Sequence, residues 1–250
     1  MRLDLYLVNN LNIKSREKAK QLLESGAIKV NGKVEYKASK EIDENKTVEI
    51  TPIETFASRG GVKLERGIEK FGYDISGKIF LDVGASNGGF TDCLLKYGAK
   101  KVYAIDVGEG QLEKELAIDN RVVIMDKTNA RNLKVEMFEE KELFAVSDVS
   151  FISLKLIIPP LGQIVKEMLL LIKPQFECGR KSLSKTGIVR DKKEHLQAVL
   201  GIMESAKFVG MNLLNLCLAT DIPNKNREYI CLIGKGKEMD MQEIEQIVLN

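Results

Sequence analysis

The sequence has 250 residues, of which 44% are apolar and 30% are charged, a balance typical of a globular chain and not of a disordered one. No segment approaches the ~20 apolar residues needed to span a bilayer, and Met1–Asp4 carries no apolar signal core. We therefore expect a cytoplasmic protein, neither secreted nor integral to a membrane. Four widely spaced cysteines and a single histidine, His195, argue against a disulfide framework, a metal site and a Ser-His-Asp hydrolase.

The charge distribution is more informative than the net charge of +2. Residues 1–40 contain nine Lys or Arg and four Asp or Glu, whereas residues 41–60 contain two and five. The remaining residues are balanced. Positive charge concentrated at the N-terminus indicates a polyanionic partner.

Residues 1–51 predict a small α+β domain. Apolar residues recur at helical spacing from Leu3 to Leu11, and Ser15 is a candidate N-cap for a second helix that Gly26 ends. Asn31-Gly32, flanked by apolar residues, predicts a hairpin, and residues 47–51 a further strand. Residues 52–61 contain Pro, Ser and Gly-Gly without a clear period, which predicts a linker.

Residues 62–250 predict a second domain. It opens with a helix and then alternates short apolar runs with helical stretches, a pattern typical of a doubly wound, mostly parallel α/β sheet. Seven strands are predicted, at Ile79–Val83, Lys101–Asp106, Val122–Asp126, Phe144–Val149, Met168–Ile172, Leu213–Ala219 and Tyr229–Ile233.

A glycine-rich turn follows the first of these strands, in the sequence Asp82-Val83-Gly84-Ala85-Ser86-Asn87-Gly88-Gly89-Phe90. Its spacing differs from the G-x-G-x-x-G of dinucleotide folds and from a P-loop. The next two strands end in acids, Asp106 and Asp126, which can accept hydrogen bonds from ribose hydroxyls. Together these features favour a nucleoside ligand without phosphate, such as S-adenosylmethionine, over glycines that only form a tight turn.

Two further charged residues, Asp148 and Lys173, lie at the ends of predicted strands on the same edge of the sheet. A desolvated lysine there can act as a general base on a hydroxyl. A solvated strand-end lysine and a turn-capping aspartate are equally compatible with the spacing. Lys63 lies among other basic residues, and Glu228 begins the last predicted strand. These patterns predict that both side chains are exposed to solvent. His195 lies in a charged helix start, which predicts a surface residue.

These residues resemble known families. The pattern Arg2-Leu3-Asp4, Ser15-Arg16-Glu17-Lys18-Ala19 and Val30-Asn31-Gly32-Lys33 is similar to the alpha-L RNA-binding motif. The remainder resembles an FtsJ-type, Rossmann-like methyltransferase. The combination resembles the TlyA family of rRNA 2′-O-methyltransferases, historically labelled haemolysin A. The most specific stretches are Ser58–Leu64, Gly84–Cys93, Asp148–Leu154, Lys173–Glu177 and Gly187–Asp191.

The resemblance implies S-adenosylmethionine as the cofactor and no metal. It implies a catalytic set of Lys63, Asp148, Lys173 and Glu228, in which Lys173 takes the hydroxyl proton, Asp148 positions it, and Lys63 and Glu228 adjust its basicity and orient the ribose. The expected cofactor-binding residues are Gly84, Ala85, Ser86, Gly88, Gly89, Phe90, Asp106 and Asp126. The expected phosphate contacts are Arg2, Arg16, Lys18, Lys20, Lys29, Lys33 and Arg59. The chain departs from the family pattern at Asn87, where Thr is common, and around Asn226-Arg227-Glu228, which lacks a nearby glycine.

The implied substrate is a cytidine ribose in ribosomal RNA. The large subunit is favoured because the chain is short, and the small subunit is possible. We expect a monomer that binds ribosomal subunits, and neither DNA nor membrane. Two alternatives remain: a membrane-active cytolysin, as the historical name suggests, and a non-catalytic ribosome-assembly factor.

Overall fold

The computed structural model describes residues 1–43, 45–51, 56–179, 182–220, 222 and 225–250. Its N-terminal part is a small α+β unit whose helices cover one face of a three-stranded sheet, around a core that includes Leu3, Leu23 and Ile28. The elements are α1 (Leu3–Asn10), α2 (Arg16–Glu24), β1 (Ile28–Val30), β2 (Lys33–Val34) and β3 (Val48–Ile50).

Local chemistry explains these boundaries. The Ser15 hydroxyl accepts a hydrogen bond from Lys18 N at 3.1 Å, which caps the start of α2 as expected. Asn31 and Gly32 have φ of 52° and 75°, so they form the tight turn that joins β1 to β2. β3 pairs with the other edge of β1, and all pairings in this sheet are antiparallel.

The second part contains the seven predicted strands in one sheet. They are β4 (Ile79–Val83), β5 (Lys101–Ile105), β6 (Val122–Met125), β7 (Leu143–Ser147), β8 (Val165–Ile172), β9 (Asn212–Thr220) and β10 (Glu228–Gly234). Their order is β6-β5-β4-β7-β8-β10-β9, and all neighbours are parallel except at β10, which is antiparallel to both β8 and β9. The predicted doubly wound fold is confirmed.

Helices cover both faces of this sheet. The helices are α3 (Arg59–Phe71), α4 (Gly89–Lys96), α5 (Lys114–Ala117), α6 (Ile158–Gly162), α7 (Pro174–Glu177), α8 (Lys192–Phe208) and α9 (Met241–Leu249). On one face α3, α4 and α5 bury Leu64, Leu94 and Leu116; on the other α6, α8 and α9 supply residues such as Ile202 and Ile244. The two apolar layers hold the strands rigidly, so the residues at their ends have fixed positions.

Because of the direction of β10, its first residue lies at the sheet edge that contains the carboxyl ends of the parallel strands. The carboxyl ends of β4 to β8 lie together, and β10 runs the opposite way, so its first residue, Glu228, lies at that edge. The register pairs Tyr229 with Ile172, the residue before Lys173. Glu228, the first residue of β10, and Lys173, the residue after β8, therefore lie at the same level of the sheet.

The structure changes the predicted linker. Residues 52–55 lie outside the described residues, but α3 begins at Arg59, so the last three residues of the predicted linker are helical. Phe56 is buried in the same apolar cluster as Leu64. The Gly-Gly pair is compatible with a helix start because the Ser58 side chain caps it, accepting a hydrogen bond from Gly60 N at 3.3 Å.

The prediction of a surface histidine is wrong. His195 is only 3% exposed, and its Nε2 lies 3.0 Å from the carbonyl oxygen of Val189 while its Nδ1 lies 3.1 Å from the Tyr229 hydroxyl. Burial lowers the pKa of His195. The charged residues before it cap α8 and face solvent, whereas the helix turns His195 toward the sheet.

Candidate active site

The glycine-rich turn connects β4 to α4. Gly84, Ser86 and Gly88 have φ of 84°, 49° and 95°, so the backbone is left-handed at three points. A Cβ at Gly84 would lie 3.0–3.3 Å from Val149, and one at Gly88 would lie 2.3 Å from a methyl of Leu116. These glycines let the turn pack closely against its surroundings while its backbone remains at the sheet edge.

The two predicted ribose-binding acids shape neighbouring loops. Asp106 Oδ2 accepts a hydrogen bond from Ser86 N at 2.9 Å, and its Oδ1 accepts one from Gly108 N at 2.8 Å. Asp126 Oδ2 accepts one from Gly110 N at 2.8 Å. Asp106 is partly exposed, which leaves acceptor capacity for ligand hydroxyls. The acids thus join the glycine-rich turn to the loops after β5 and β6.

Of the other predicted cofactor contacts, Phe90 is placed differently from the expectation. Its ring is buried in the apolar layer between α3 and α4, so only its backbone at the start of α4 faces the turn. Ala85 and Gly89 are also buried, and Ser86 is exposed. The turn therefore offers a ligand mainly backbone groups and the Ser86 hydroxyl.

Asp82, which the sequence analysis did not select, is fully buried beneath this turn. The Thr91 hydroxyl donates to its Oδ2 at 2.6 Å, whereas Oδ1 has no hydrogen-bond partner in the described part of the chain. Burial raises the pKa of Asp82 to about 7. An incompletely satisfied carboxylate next to the turn fits a cationic ligand, and S-adenosylmethionine carries a positive sulfonium and a positive amine.

Lys173 and Asp148 form an ion pair at the same edge. Lys173 Nζ lies 2.6 Å from Asp148 Oδ1, 2.8 Å from Ser150 Oγ and 3.4 Å from the carbonyl oxygen of Asp148. Lys173 is 7% exposed. Lys173 therefore donates two hydrogen bonds and also forms an ion pair with the Asp148 carboxylate. The expectation of a solvated strand-end lysine does not describe this residue.

Lys63 and Glu228 form a second ion pair, with 2.6 Å between Lys63 Nζ and Glu228 Oε2. The other oxygen of Glu228 lies 3.5 Å from the amide nitrogen of Gln175, two residues after Lys173. Both side chains of the pair are mostly buried. The expectation of solvated positions for Lys63 and Glu228, drawn from spacing alone, is thus wrong.

Two glycines bring these groups close together. A Cβ at Gly60, near the start of α3, would lie 3.2 Å from Asp148 Oδ2. A Cβ at Gly89 would lie 2.0 Å from the hydroxyl oxygen of Ser58. The start of α3 is therefore pressed against both the start of α4 and Asp148. This packing places Lys63, one turn further along α3, in the same site as the turn after β4.

The loop after β7 presents an exposed ring that the sequence analysis did not select. Phe151 is 92% exposed, has a φ of 65°, and its ring centroid lies 5.2 Å from that of Phe176. Glu177 anchors this loop by accepting hydrogen bonds from Ser153 Oγ at 2.5 Å and Leu154 N at 2.8 Å. The sequence shows a phenylalanine three residues after Asp148, but its exposure cannot be read from the sequence.

Two family models match the chain: FtsJ-like methyltransferase over residues 56–235 and S4 domain over residues 1–48. The first match covers well over half of the chain. The chain belongs to the FtsJ-like methyltransferase family. Its methyl donor is therefore S-adenosylmethionine, and its N-terminal unit is an S4 domain, as the resemblance implied.

Known proteins are similar to this FtsJ-like methyltransferase. Hemolysin A of Brachyspira hyodysenteriae is 47% identical over 196 residues, which are 76% of this chain and 81% of the relative. The 16S/23S rRNA (cytidine-2′-O)-methyltransferase TlyA of Mycobacterium tuberculosis is 36% identical over 91% of this chain and 87% of its own. A solved structure from Streptococcus thermophilus with a provisional hemolysin name is 33% identical, with a TM-score of 0.74 over 100% of this chain and 94% of that one.

The predicted phosphate contacts of this methyltransferase are partly engaged within the protein. Arg2 and Arg16 both bind the buried Asp4, with nitrogen–oxygen distances of 3.0 and 2.9 Å. Arg59 pairs with Glu24 of α2, which also pairs with Lys225. Lys18 donates a hydrogen bond to the carbonyl oxygen of Phe56 at 3.4 Å, and Lys20 lies 3.9 Å from Glu17. Lys29 and Lys33 have no carboxylate partner among the described residues.

No helix in the described part of this methyltransferase is long and apolar enough to cross a membrane.

Proposed function

We propose that this chain methylates the ribose 2′-hydroxyl of a cytidine in ribosomal RNA, with the large subunit as the favoured substrate. The observation that carries the proposal is the pair of lysine–carboxylate contacts, Lys173–Asp148 and Lys63–Glu228, beside the glycine-rich turn. The name of the M. tuberculosis relative supports the choice of substrate, because it specifies 2′-O-methylation of cytidine in rRNA.

The cofactor would lie along residues 84–89. Asp106 would accept hydrogen bonds from its ribose hydroxyls, the loop of Asp126 would contact the adenine, and Asp82 would lie beneath its positive groups. S-adenosylmethionine supplies an electrophilic methyl group on its sulfonium. The residues of the chain hold the acceptor hydroxyl in line and manage its proton, and positioning of this kind contributes up to ~7–11 kcal/mol to lowering a barrier.

Lys173 would hold and accept the proton of the 2′-hydroxyl. Of its three partners, Ser150 Oγ is the neutral side chain, and Ser150 is an exposed residue. A ribose hydroxyl that enters from solvent would therefore replace Ser150, while Asp148 keeps the lysine in place. In its amine form Lys173 offers that same position a lone pair, so the proton passes from the hydroxyl to Nζ as the oxygen gains the methyl group.

Lys63 and Glu228 would orient the target nucleotide. Glu228 is linked to Lys63 and lies near Gln175, so it would hold these two donors in place toward the oxygen atoms of the target ribose. Phe151 is exposed beside this site and offers a flat apolar face for the target base, since RNA enzymes commonly stack an extruded base on an aromatic ring.

The S4 domain would anchor the RNA. Lys29 and Lys33 lie on its hairpin without carboxylate partners in the described residues, and Arg2 and Arg16 keep more than two-fifths of their side chains exposed. Phosphate contacts from these residues position RNA without reading its sequence.

The test is methyl transfer from labelled S-adenosylmethionine to purified ribosomal subunits that lack the modification, followed by mass mapping of the labelled nucleoside. We expect 2′-O-methylcytidine in large-subunit RNA. Label in the small subunit alone would correct the subunit, and label on a base would contradict 2′-O-transfer. No incorporation, with cofactor binding retained, would favour the assembly-factor alternative.

The cytolysin alternative is tested separately by dye release from vesicles of phosphatidylcholine and phosphatidylglycerol. We expect no release at enzyme concentrations that methylate ribosomal RNA fully. Release by both the active enzyme and a Lys173→Ala variant would show a second, independent activity.

A further inference from the structure

A large cleft opens beside the second ion pair. It lies between α2 of the S4 domain, α3 and the start of β10, and its volume is about 1070 Å³. Small-molecule sites commonly measure about 300–1,000 Å³, so this cleft accommodates an extended ligand. Lys63, Gln175 and Glu228 line one end of it, which makes it continuous with the proposed catalytic site.

One wall of the cleft carries a stripe of cations. Arg59, Lys63, Arg66 and Lys70 occur at i, i+4, i+7 and i+11 of α3, so they share one face of the helix, and all four line the cleft. Spacing alone predicts that this basic helix face is solvated. The structure instead places it opposite α2, which contributes Lys18, Gln21 and Glu24 to the other wall.

The four cations differ in their partners. Arg59 pairs with Glu24 and Lys63 with Glu228. Arg66 and Lys70 are exposed, and within the described ranges neither has a carboxylate oxygen within 4.0 Å. The stripe thus begins with two neutralised cations near the catalytic site and continues with two that remain available to an anion.

The position of Lys173 restricts what this anion can belong to. Because Lys173 is 7% exposed, a 2′-hydroxyl reaches it only if its nucleotide leaves the base stack. The strand on either side of this nucleotide is brought to the surface of the enzyme next to the site, and its repeating anionic group is the phosphodiester.

We propose that the cleft binds the phosphodiester backbone of the RNA strand next to the target nucleotide, with Arg66 and Lys70 contacting successive phosphates. The inference rests on the proposed function and adds the path of the RNA. Arg66 and Lys70 are four residues apart, about 6 Å along the helix, so their long side chains reach neighbouring phosphates. Gln21 on the opposite wall offers its amide hydrogens to the same strand.

The test compares Arg66→Gln/Lys70→Gln with wild-type enzyme. We expect KM for undermodified ribosomal subunits to rise on the order of tenfold, with kcat at saturating RNA and the affinity for S-adenosylmethionine unchanged. The salt dependence of binding to a labelled 20-nucleotide single-stranded RNA should fall in slope by ~1.4, from ~0.7 for each of two phosphates.

The matched control is Lys235→Gln/Lys237→Gln, which removes the same charge at exposed positions outside the cleft. We expect it to leave KM and slope within twofold of wild type. Equal effects of the two double variants, or an unchanged slope for Arg66→Gln/Lys70→Gln, would overturn the proposal. The wild-type product analysis is independent of these ratios: if wild-type enzyme binds the single strand through the cleft but makes no 2′-O-methylcytidine, the proposed function fails and the binding site stands.

Discussion

Two fully buried aspartates, one in each domain, are treated in opposite ways. Asp4 of the S4 domain accepts hydrogen bonds from the guanidinium groups of Arg2 and Arg16 and from Leu5 N, and the two guanidinium groups hold its pKa well below the usual range. Asp82 of the methyltransferase domain has the Thr91 hydroxyl on one oxygen and leaves the other without a partner in the described residues, and burial raises its pKa to about 7.

The difference separates a structural charge from a charge left incomplete at a ligand site. Saturating Asp4 ties α1 to α2 and stabilises the small domain. Leaving Asp82 short of donors costs stability in the free protein, a cost that a cationic ligand can offset. Asp148 lies between these two cases, because its side chain forms an ion pair with one cation, Lys173. Lys173 also donates a hydrogen bond to Ser150, which is exposed to solvent.

The largest effect on activity is expected from removing Lys173, the cation that pairs with Asp148. Lys173→Ala should lower kcat by about 10²–10⁴-fold, the usual contribution of a general base, and leave S-adenosylmethionine affinity nearly unchanged. Single-turnover methylation and calorimetric titration measure the two quantities. Lys166→Ala, at the other end of β8 and exposed, is the control and should retain wild-type kcat. Near-normal turnover by Lys173→Ala would remove Lys173 from the chemistry.

The next effect tests the structural role of Asp4. Asp4→Asn should reduce the free energy of unfolding by about 1.5–3 kcal/mol, because hydrogen bonds to a charged acceptor are lost in a buried position. Urea unfolding followed by circular dichroism measures it, with the exposed Asp43→Asn as control. Asp82→Asn, which keeps an acceptor for Thr91, should not destabilise the protein at pH 8. Destabilisation by Asp82→Asn as large as that by Asp4→Asn would contradict the comparison.

The two aspartates should also give opposite pH dependences. The pKa of Asp4 is lower in the folded state, so its contribution to stability is lost as pH falls below about 4, its unfolded value. The pKa of Asp82 is higher in the folded state, so stability falls as pH rises from about 4 to about 7. Thermal unfolding across pH 3–8 should show both trends. Asp82→Asn should remove only the second, and persistence of that trend in this variant would assign it to another group.

The smallest effect concerns Ser150. Ser150→Ala should change kcat by less than about fivefold, because one neutral hydrogen bond of ~1 kcal/mol is lost and the substrate hydroxyl takes that place. Ser150→Val fills the position without a hydroxyl and should raise KM for RNA. Initial rates at varied RNA concentration separate the two variants. If Ser150→Ala lost activity as completely as Lys173→Ala, Ser150 would take part in proton transfer itself.

Much of the fold followed from periodicity. The seven strands, the Ser15 cap and the Asn31-Gly32 turn depend on local patterns, and local patterns are what a sequence displays directly. The approach of Lys173 to Asp148 was also foreseeable in outline, because both follow parallel strands at one edge.

Other features depended on long-range packing. Lys63 and Glu228 are 165 positions apart, and their contact requires both the antiparallel β10 and the close packing of α3 at Gly60. The burial of His195 depends on the sheet beneath α8, and the exposure of Phe151 depends on a left-handed backbone residue. Composition and spacing do not report contacts between distant parts of the chain. Lys63 and Glu228 could therefore be selected only from the family resemblance.

Phe56 shows that the boundary between the S4 domain and the methyltransferase domain differs between the sequence and the packed structure. It precedes α3 and would be assigned to the connecting segment, yet its ring lies against Gly61, where a Cβ would come within 2.2 Å of it, and it belongs to the apolar layer of the methyltransferase domain. Exchanging the S4 domain for another RNA-binding module would thus preserve the catalytic domain only if the junction is made before Phe56. A graft that replaced Phe56 would leave a ring-sized void over α3 and loosen the helix that holds Lys63.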